Sequence, residues 1–169
     1  MDYMTRYESP LGGLTLASDG RALTGLWFDG QRGFAAGLSA QHAECSSLAV
    51  FEDTKRWLDR YFAGHRPDFI PPLAMRGTPF QQRVWRELLS IPYGQTTTYG
   101  DMARCFHSKM CARAVGVAVG RNPVAIIVPC HRVVGAKGSL TGYSGGMERK
   151  RWLLRLEGVG IASAEQEST

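Results

Sequence analysis

A cysteine and a histidine stand side by side at Cys130 and His131, directly after the apolar run 124–128 and Pro129. An ordinary thiol is only a few per cent thiolate at neutral pH, so a nucleophilic cysteine needs a base and an electropositive setting. His131 could supply that base. Because consecutive strand residues point to opposite faces, contact between the two side chains requires a turn or a bridging water. Taken alone, the pair also fits a buried structural cysteine.

The spacing of the other cysteines does not predict a disulfide framework or a metal site. Cys45, Cys105 and Cys111 lie far from one another and from Cys130, without a C-x-x-C pair. In a reducing compartment we expect free thiols and no disulfide framework. His42 and Cys45 are three residues apart, which is half a metal site at best, and exposed loop residues are the simpler interpretation. The sequence therefore predicts neither a metal nor a cofactor.

Basic residues are concentrated in the second half of the chain. Residues 1–76 carry 8 Lys and Arg against 9 Asp and Glu, whereas residues 77–169 carry 12 against 6. A basic half favours a polyanionic partner such as nucleic acid. A solvated basic face accounts for the charge equally well, so the charge does not decide between them.

Length and composition describe a globular protein of one large or two small domains. The chain has 169 residues, with 44% hydrophobic and 21% charged residues, which excludes a mostly disordered chain. No apolar run approaches the roughly 20 residues that span a bilayer, so we expect no membrane partner. The start shows no apolar segment typical of a secretory signal, so the expected location is cytoplasmic.

The first half reads as a small antiparallel meander followed by a helix. Short strands are predicted over 3–7, 14–17 and 23–28, separated by turn residues. Apolar residues at helical spacing predict a helix over 48–62 that ends at Gly64. The segment 64–77 contains three prolines and reads as an interdomain linker.

The second half begins with a helix whose start is well marked. Thr78 at the N-cap, Pro79 at the first position and Gln81 at the third form a capping box. Thr97 or Thr98 can cap a short helix that reaches Phe106. A tight turn then leads to a second short helix over about 111–119, which makes a helix-turn-helix candidate.

The last third carries the residues nearest the Cys-His pair. Val124–Val128 is predicted to be a buried strand, and 135–146 a glycine-rich hairpin. A final helix is expected over 147–157, stopped by Gly158.

The residues around Cys130 resemble the O6-alkylguanine-DNA alkyltransferases. Pro129-Cys130-His131-Arg132-Val133 is that family's active-site signature, and further family motifs follow in the expected order. These are Gly77-Thr-Pro-Phe-Gln81, Ile91-Pro-Tyr-Gly94, Arg113-Ala-Val-Gly116, Gly120-Arg-Asn-Pro123, Thr141-Gly-Tyr-Ser-Gly-Gly146 and Leu156-Glu-Gly158. The match is dense over residues 77–158 and weaker over 1–76.

The resemblance implies an α/β fold in two domains. Residues 1–76 would form a small ribonuclease H-like N-terminal domain with its linker. Residues 77–158 would form a winged helix-turn-helix catalytic domain that binds DNA, and residues 159–169 a polar tail. The implied activity is direct-reversal DNA repair, in which an alkyl group moves from O6 of guanine, and from O4 of thymine, to the protein.

The resemblance also assigns catalytic roles. Cys130 would accept the alkyl group once per molecule. His131 would act as its base through a bridging water, oriented by Glu157. Asn122 would link the helix-turn-helix to the active-site segment. Tyr99 would help to rotate the nucleotide and would donate to the guanine.

DNA contacts are implied along the second helix of the pair. Arg113 would replace the flipped base, and the same helix would enter the minor groove of double-stranded DNA. Neighbouring contact residues would be Ala112, Val119 and Arg121. The substrate pocket would be lined by Val133, Tyr143, Ser144 and Gly145. The protein would act as a monomer that can cluster on DNA.

One departure from the family pattern falls in the turn before this helix, where Ser108-Lys-Met-Cys111 replaces a Pro-Gly-Ala-like turn. Lys109 could add a phosphate contact there. Two other functions compete with the repair hypothesis. One is a DNA-binding protein without catalysis, either a damage sensor or a winged-helix regulator. The other is a cysteine hydrolase, which would leave the basic half unexplained.

Overall fold

A computed structural model of the chain describes residues 1–106 and 112–161. The chain divides into two compact units. Unit 1 comprises Met1–Gly77 together with Pro123–Ile127, and unit 2 comprises Thr78–Asn122 together with Val128–Thr169. The chain therefore leaves unit 2 after Asn122 and re-enters it at Val128, immediately before the Cys-His pair.

Unit 1 is built on a four-stranded sheet. The predicted meander is confirmed as β1 (Asp2–Ser9), β2 (Gly12–Ser18) and β3 (Leu23–Phe28), paired antiparallel in chain order. A fourth strand, β4 (His42–Glu44), pairs parallel with β1 and completes the order β3-β2-β1-β4. The sequence did not predict β4 because it has only three residues, all exposed.

The predicted helix of unit 1 is α1 (Ala49–Phe62), which buries one apolar face. Gly64 follows it with φ 87°, a left-handed conformation that favours glycine. The segment 64–77, predicted to be an interdomain linker, belongs to unit 1. Leu23 donates to Pro72 O (2.7 Å) and accepts from Ala74 N (2.9 Å), so this segment runs beside β3.

The strand predicted over Val124–Val128 does not form. Leu26 of β3 donates to Pro123 O and accepts from Ala125 N, both at 2.9 Å, and this single bridge is followed by a turn with Ile126 at φ 70°. Every residue of the segment is buried. An apolar run of five residues fits a buried turn as well as a buried strand, and periodicity cannot separate the two.

Unit 2 contains four helices in its described part. The capping box at Thr78 is present and starts α2 (Pro79–Leu88). Thr98 accepts from Asp101 N (3.0 Å) and caps α3 (Tyr99–Arg104). Then follow α4 (Ala112–Gly120) and α5 (Met147–Leu156). The expected turn at 108–111, with Lys109 and Cys111, lies outside the described residues.

Short strands β5 (Thr97–Thr98) and β6 (Val133–Val134) pair in parallel. The predicted hairpin over 135–146 is absent. Its residues form a 3-10 turn at Ala136–Gly138 and further turns, closed by a hydrogen bond from Gly135 N to Ser139 O (2.7 Å). Turn-forming glycines need not be flanked by pairing strands. In the described part of the chain, no helix combines the length and apolar character needed to cross a bilayer.

Candidate active site

Cys130 and His131 lie on one 3-10 turn, Cys130–Arg132, that follows Pro129. The turn is closed by hydrogen bonds from Cys130 N to Val128 O (2.8 Å) and from Arg132 N to Pro129 O (3.0 Å). Both side chains are buried, with 7% of Cys130 and 0% of His131 exposed. This is the turn that the adjacent pair requires if it is to work on one substrate.

Glu157 organises the histidine from the end of α5. Its Oε2 lies 2.5 Å from Nε2 of His131, and its Oε1 accepts from Nε of Arg132 at 2.7 Å. Burial acts to raise the pKa of Glu157, but the hydrogen bonds from His131 and Arg132 outweigh it and lower that pKa to about 2. Burial lowers the pKa of His131 below its ordinary value, despite the opposing carboxylate. The resting pair is therefore a neutral imidazole beside a carboxylate.

This arrangement fixes the tautomer of His131. A carboxylate can only accept a hydrogen bond, so the proton of the neutral ring lies on Nε2. The basic lone pair then lies on Nδ1, and Glu157 would stabilise the imidazolium that forms when Nδ1 takes a proton. The family resemblance predicts that Glu157 orients His131 and that His131 acts on Cys130 through a water. Of these two contacts, the one between His131 and Glu157 is present.

The thiol of Cys130 is surrounded by groups that act on it in opposite directions. Burial raises its pKa, whereas a hydrogen bond from the Asn122 amide and the positive charge of Lys150 act to lower it. Asn122 also donates through Nδ2 to Val128 O (2.7 Å), so it spans the point where the chain leaves and re-enters unit 2. Its predicted linking position is consistent with this contact.

Two tyrosines flank the thiol. Burial raises the pKa of Tyr99, whose hydroxyl also interacts with Thr141 and Cys130. A Cβ placed on Gly116 of α4 would lie 3.5 Å from the Tyr99 ring, so this glycine lets α4 approach it. The hydroxyl of Tyr143 is buried and interacts with the Cys130 thiol. Burial and the neighbouring Cys130 raise its pKa well above 10.

The other predicted pocket residues lie nearby in unit 2. Val133 is buried directly after the Cys130–Arg132 turn, and Gly145 is buried in the segment before α5. The Ser144 hydroxyl donates to Gly120 O at the end of α4 (2.6 Å). In this conformation the serine is therefore already engaged by α4.

The predicted DNA-contact residues divide by exposure. Arg113 and Arg121 are exposed, and Ala112 is partly so. Val119 is only 3% exposed, because it lies on the face of α4 that packs into unit 2. Its side chain therefore contributes to the core, and we leave it out of the candidate DNA surface.

Two charged residues of the site were not singled out by the sequence reasoning. Arg132 is buried and donates to Glu157 and, through Nη1, to Ile91 O (2.7 Å). Lys150 is wholly buried on α5. The signal for Lys150 was available, because positions 150, 153, 154 and 157 fall on one helical face with two buried leucines and Glu157.

No group of three or more His, Cys, Asp or Glu side chains that could hold a metal occurs in residues 1–106 and 112–161. The thiol of Cys45 instead interacts with Ser47, whose side chain and backbone lower the pKa of that thiol.

Comparison with known proteins covers both units. Residues 3–75 match the ribonuclease-like domain of 6-O-methylguanine DNA methyltransferase, and residues 79–159 match its DNA-binding domain. The methylated-DNA–protein-cysteine methyltransferase of Mycobacterium tuberculosis is 51% identical over 156 residues, covering 89% of this chain and 88% of that protein. The protein of the same name from Methanosarcina acetivorans is 45% identical, covering 92% and 98%.

A solved structure shows the same fold. The crystal structure of Mycobacterium tuberculosis OGT in complex with DNA superimposes with a TM-score of 0.83 at 47% identity, covering 92% of each chain. The architecture is thus mixed α/β, with a ribonuclease-like N-terminal domain and a DNA-binding C-terminal domain. From its sequence, its two domains and its active-site turn, the chain belongs to the 6-O-methylguanine DNA methyltransferase family.

Proposed function

We propose that this protein repairs DNA by moving an alkyl group, methyl above all, from O6 of guanine to the sulfur of its own Cys130. It is a methylated-DNA–protein-cysteine methyltransferase, as its relatives are named. The observation that carries the proposal is the buried Cys130–Arg132 turn with His131 held by Glu157 at 2.5 Å. A cysteine next to an oriented base is the arrangement that activates a thiol as a nucleophile.

The chemistry balances on groups that the site contains. His131 takes the thiol proton at Nδ1 through a bridging water, and Glu157 stabilises the resulting imidazolium. The thiolate attacks the alkyl carbon, so a carbon–sulfur bond forms while the carbon–O6 bond breaks. The electron pair of the broken bond goes to the guanine, and the hydroxyl of Tyr99 donates to that developing negative charge.

The thioether product makes the protein a single-turnover reagent. A thioether is not readily hydrolysed by water or by a general base, so each molecule would repair one base. O4-alkylthymine presents the same alkyl–oxygen bond to the thiol and is the second substrate we propose.

DNA engagement is assigned to α4. A base in the duplex hides O6 inside the stack, so the nucleotide must be flipped into the pocket. The exposed Arg113 would fill the space that the base leaves, and Arg121 would contact phosphate. The small side chains of α4 would allow close approach to the minor groove. Most of the affinity would then come from phosphate electrostatics and would fall with salt.

The function is tested by product stoichiometry. A duplex with one O6-methylguanine is titrated with protein, and its bases are quantified by chromatography after hydrolysis. The proposal predicts that guanine is regained in a one-to-one ratio with protein and that excess DNA remains unrepaired. Binding without conversion would instead support a damage sensor, and many turnovers per molecule would contradict the proposed reaction.

A further inference from the structure

Lys150 lies in the interior of unit 2 with its charged end among backbone carbonyl groups. Its side chain is 0% exposed, and no carboxylate of residues 1–106 or 112–161 lies within 4 Å of its ammonium group. A buried charge is normally neutralised by an ion pair, because desolvation strongly disfavours it. A lysine kept in such a position calls for a role beyond packing.

The ammonium is instead held by backbone carbonyls from two segments. Nζ donates to Val133 O (2.7 Å), to Thr141 O (2.9 Å) and to Gly142 O (3.4 Å). Val133 directly follows the catalytic turn. Thr141 and Gly142 directly precede Tyr143, which flanks the thiol. One side chain therefore joins the segment behind Cys130 to the segment opposite it.

The chain between these segments has little regular secondary structure that would fix their positions. Residues 136–139 are exposed and form turns, and no strand pairs within residues 135–146. The segment 141–145 contains two glycines. Charge-assisted hydrogen bonds are roughly twice as strong as neutral ones, so an ammonium is well suited to fix such a backbone.

We propose that Lys150 is a positioning residue that ties the segment 141–145 to the catalytic turn, so that the guanine pocket is formed before the substrate arrives. This inference rests on the proposed function. It concerns substrate binding through the backbone that the lysine contacts, and it is separate from the effect of the lysine's charge on the pKa of Cys130.

The protonation state of Lys150 should make this tie between segment 141–145 and the catalytic turn, called the clamp below, depend on pH. Burial lowers the pKa of Lys150 to about 8, while Cys130 acts to raise it. Below that pH the ammonium is charged with three donors, and above it a neutral amine keeps only two. Pocket affinity should therefore fall as pH rises through about 8.

The other titratable groups around Lys150 should not produce the same pH dependence of substrate binding. His131 is neutral throughout, Glu157 has a pKa of about 2, and the pKa of Tyr143 lies well above 10. Arg149 contributes a positive charge near Tyr143. Burial raises the pKa of Cys130, and its thiolate alters the rate constant of transfer more than the binding of a neutral base.

The test is single-turnover alkylation by free O6-benzylguanine, a base that needs no DNA, followed by intact mass between pH 6.5 and 9.5. The half-saturating concentration and the limiting rate constant are determined separately. For the unaltered protein we expect the half-saturating concentration to rise several-fold above pH 8. For Lys150→Met we expect a value at least tenfold higher at pH 7 that no longer changes with pH.

Arg155→Met is the matched control, because Arg155 is an exposed cation on the same helix. It should behave like the unaltered protein. If Lys150→Met fails to fold, Lys150→Arg and the pH profile of the unaltered protein carry the test. A half-saturating concentration that is independent of pH in the unaltered protein would overturn the clamp while leaving the proposed function standing. No methyl transfer to the unaltered protein from a duplex that contains O6-methylguanine would overturn both.

Discussion

Nε2 of His131 lies 2.5 Å from Oε2 of Glu157, and both side chains are completely buried. The contact decides which ring nitrogen can act as a base, because the carboxylate holds the proton of the neutral ring on Nε2. Arg132 fixes the other carboxylate oxygen at 2.7 Å, so Glu157 cannot rotate away. The base of the proposed reaction is thus set by a residue 26 positions further along the chain.

Replacing Glu157 by glutamine tests this relationship. Glu157→Gln removes the charge that stabilises the imidazolium and leaves Arg132 buried without its partner. We expect transfer to slow by about 10²-fold or more. We also expect the free energy of unfolding to fall by about 3–5 kcal/mol, as for other broken buried ion pairs. Single-turnover rates and urea unfolding measure the two effects.

Glu148→Gln is the control for that substitution, since Glu148 is an exposed carboxylate in the first turn of the same helix. It should change neither quantity appreciably. A Glu157→Gln protein that transfers methyl at the unaltered rate would show that His131 does not need the carboxylate.

Asn122 is predicted to set the reactivity of the thiol. Asn122→Asp preserves the shape of the side chain but replaces its amide donor by a carboxylate beside Cys130. The pKa of Cys130, already raised by burial, should rise further because the thiolate loses a donor and gains a like charge. The pH dependence of iodoacetamide labelling at Cys130 should therefore shift to higher pH, and methyl transfer should slow.

Gln95→Glu adds the same charge at an exposed position of unit 2 and serves as its control. An unchanged labelling profile in Asn122→Asp would mean that the amide does not act on the thiol.

Arg113 is expected to matter only when the base must leave a duplex. Arg113→Ala should slow repair of O6-methylguanine in duplex DNA much more than reaction with a free O6-alkylguanine base. Arg121→Ala, which would remove the proposed phosphate contact, should reduce the salt dependence of DNA binding by about one counterion. Arg66→Ala, an exposed arginine of unit 1, provides the comparison. Equal losses on duplex and free base would argue against a base-replacing role for Arg113.

An ion pair between the buried Asp2 and the exposed Arg76 makes the stability of unit 1 depend on pH. Arg76 donates to both oxygens of Asp2 (2.7 and 2.8 Å), and Ser39 N donates to Oδ2 (2.7 Å). The hydrogen bonds from Arg76 lower the pKa of Asp2 from 3.8 to about 2. Because the folded-state pKa is depressed, the stabilisation is complete above pH 3.8 and is lost as pH falls through about 2.

Asp2→Asn should therefore lower the free energy of unfolding at neutral pH by about 1.5–3 kcal/mol. Its difference from the unaltered protein should shrink as the pH approaches 2. Asp53→Asn, which breaks an exposed pair with Arg56, should cost less than about 1 kcal/mol. Urea unfolding at several pH values measures both, and a difference for Asp2→Asn that is independent of pH would contradict the assignment.

The elements with strong local signals could be predicted from the sequence. The capping box at Thr78 and the periodic helix ending before Gly64 are decided by residues close in the chain. The short strand β4 and the turn at Ile126 are decided by pairing with distant strands, through Tyr3 of β1 and Leu26 of β3 respectively. The local residue pattern does not identify such distant pairing partners.

The candidate site shows the same difference between features decided by neighbouring residues and features decided by distant ones. Cys130 and His131 are adjacent, so their types and order were visible together. The partnership of His131 with Glu157 came from the family resemblance, because side chains 26 positions apart meet only in the folded chain. Lys150 was overlooked because a lysine is normally read as a surface residue, although its helical position matches the buried face.

Locating the transferred methyl group tests the central claim most directly. The protein is incubated with a duplex containing one O6-methylguanine, and its intact mass and tryptic peptides are then measured, with Cys130→Ser as the matched variant. The account predicts a gain of one methylene per molecule, found on the peptide that contains Cys130, and no gain in Cys130→Ser. A bound duplex without any gain in mass, or a methyl group on Cys45 or Cys105, would contradict it.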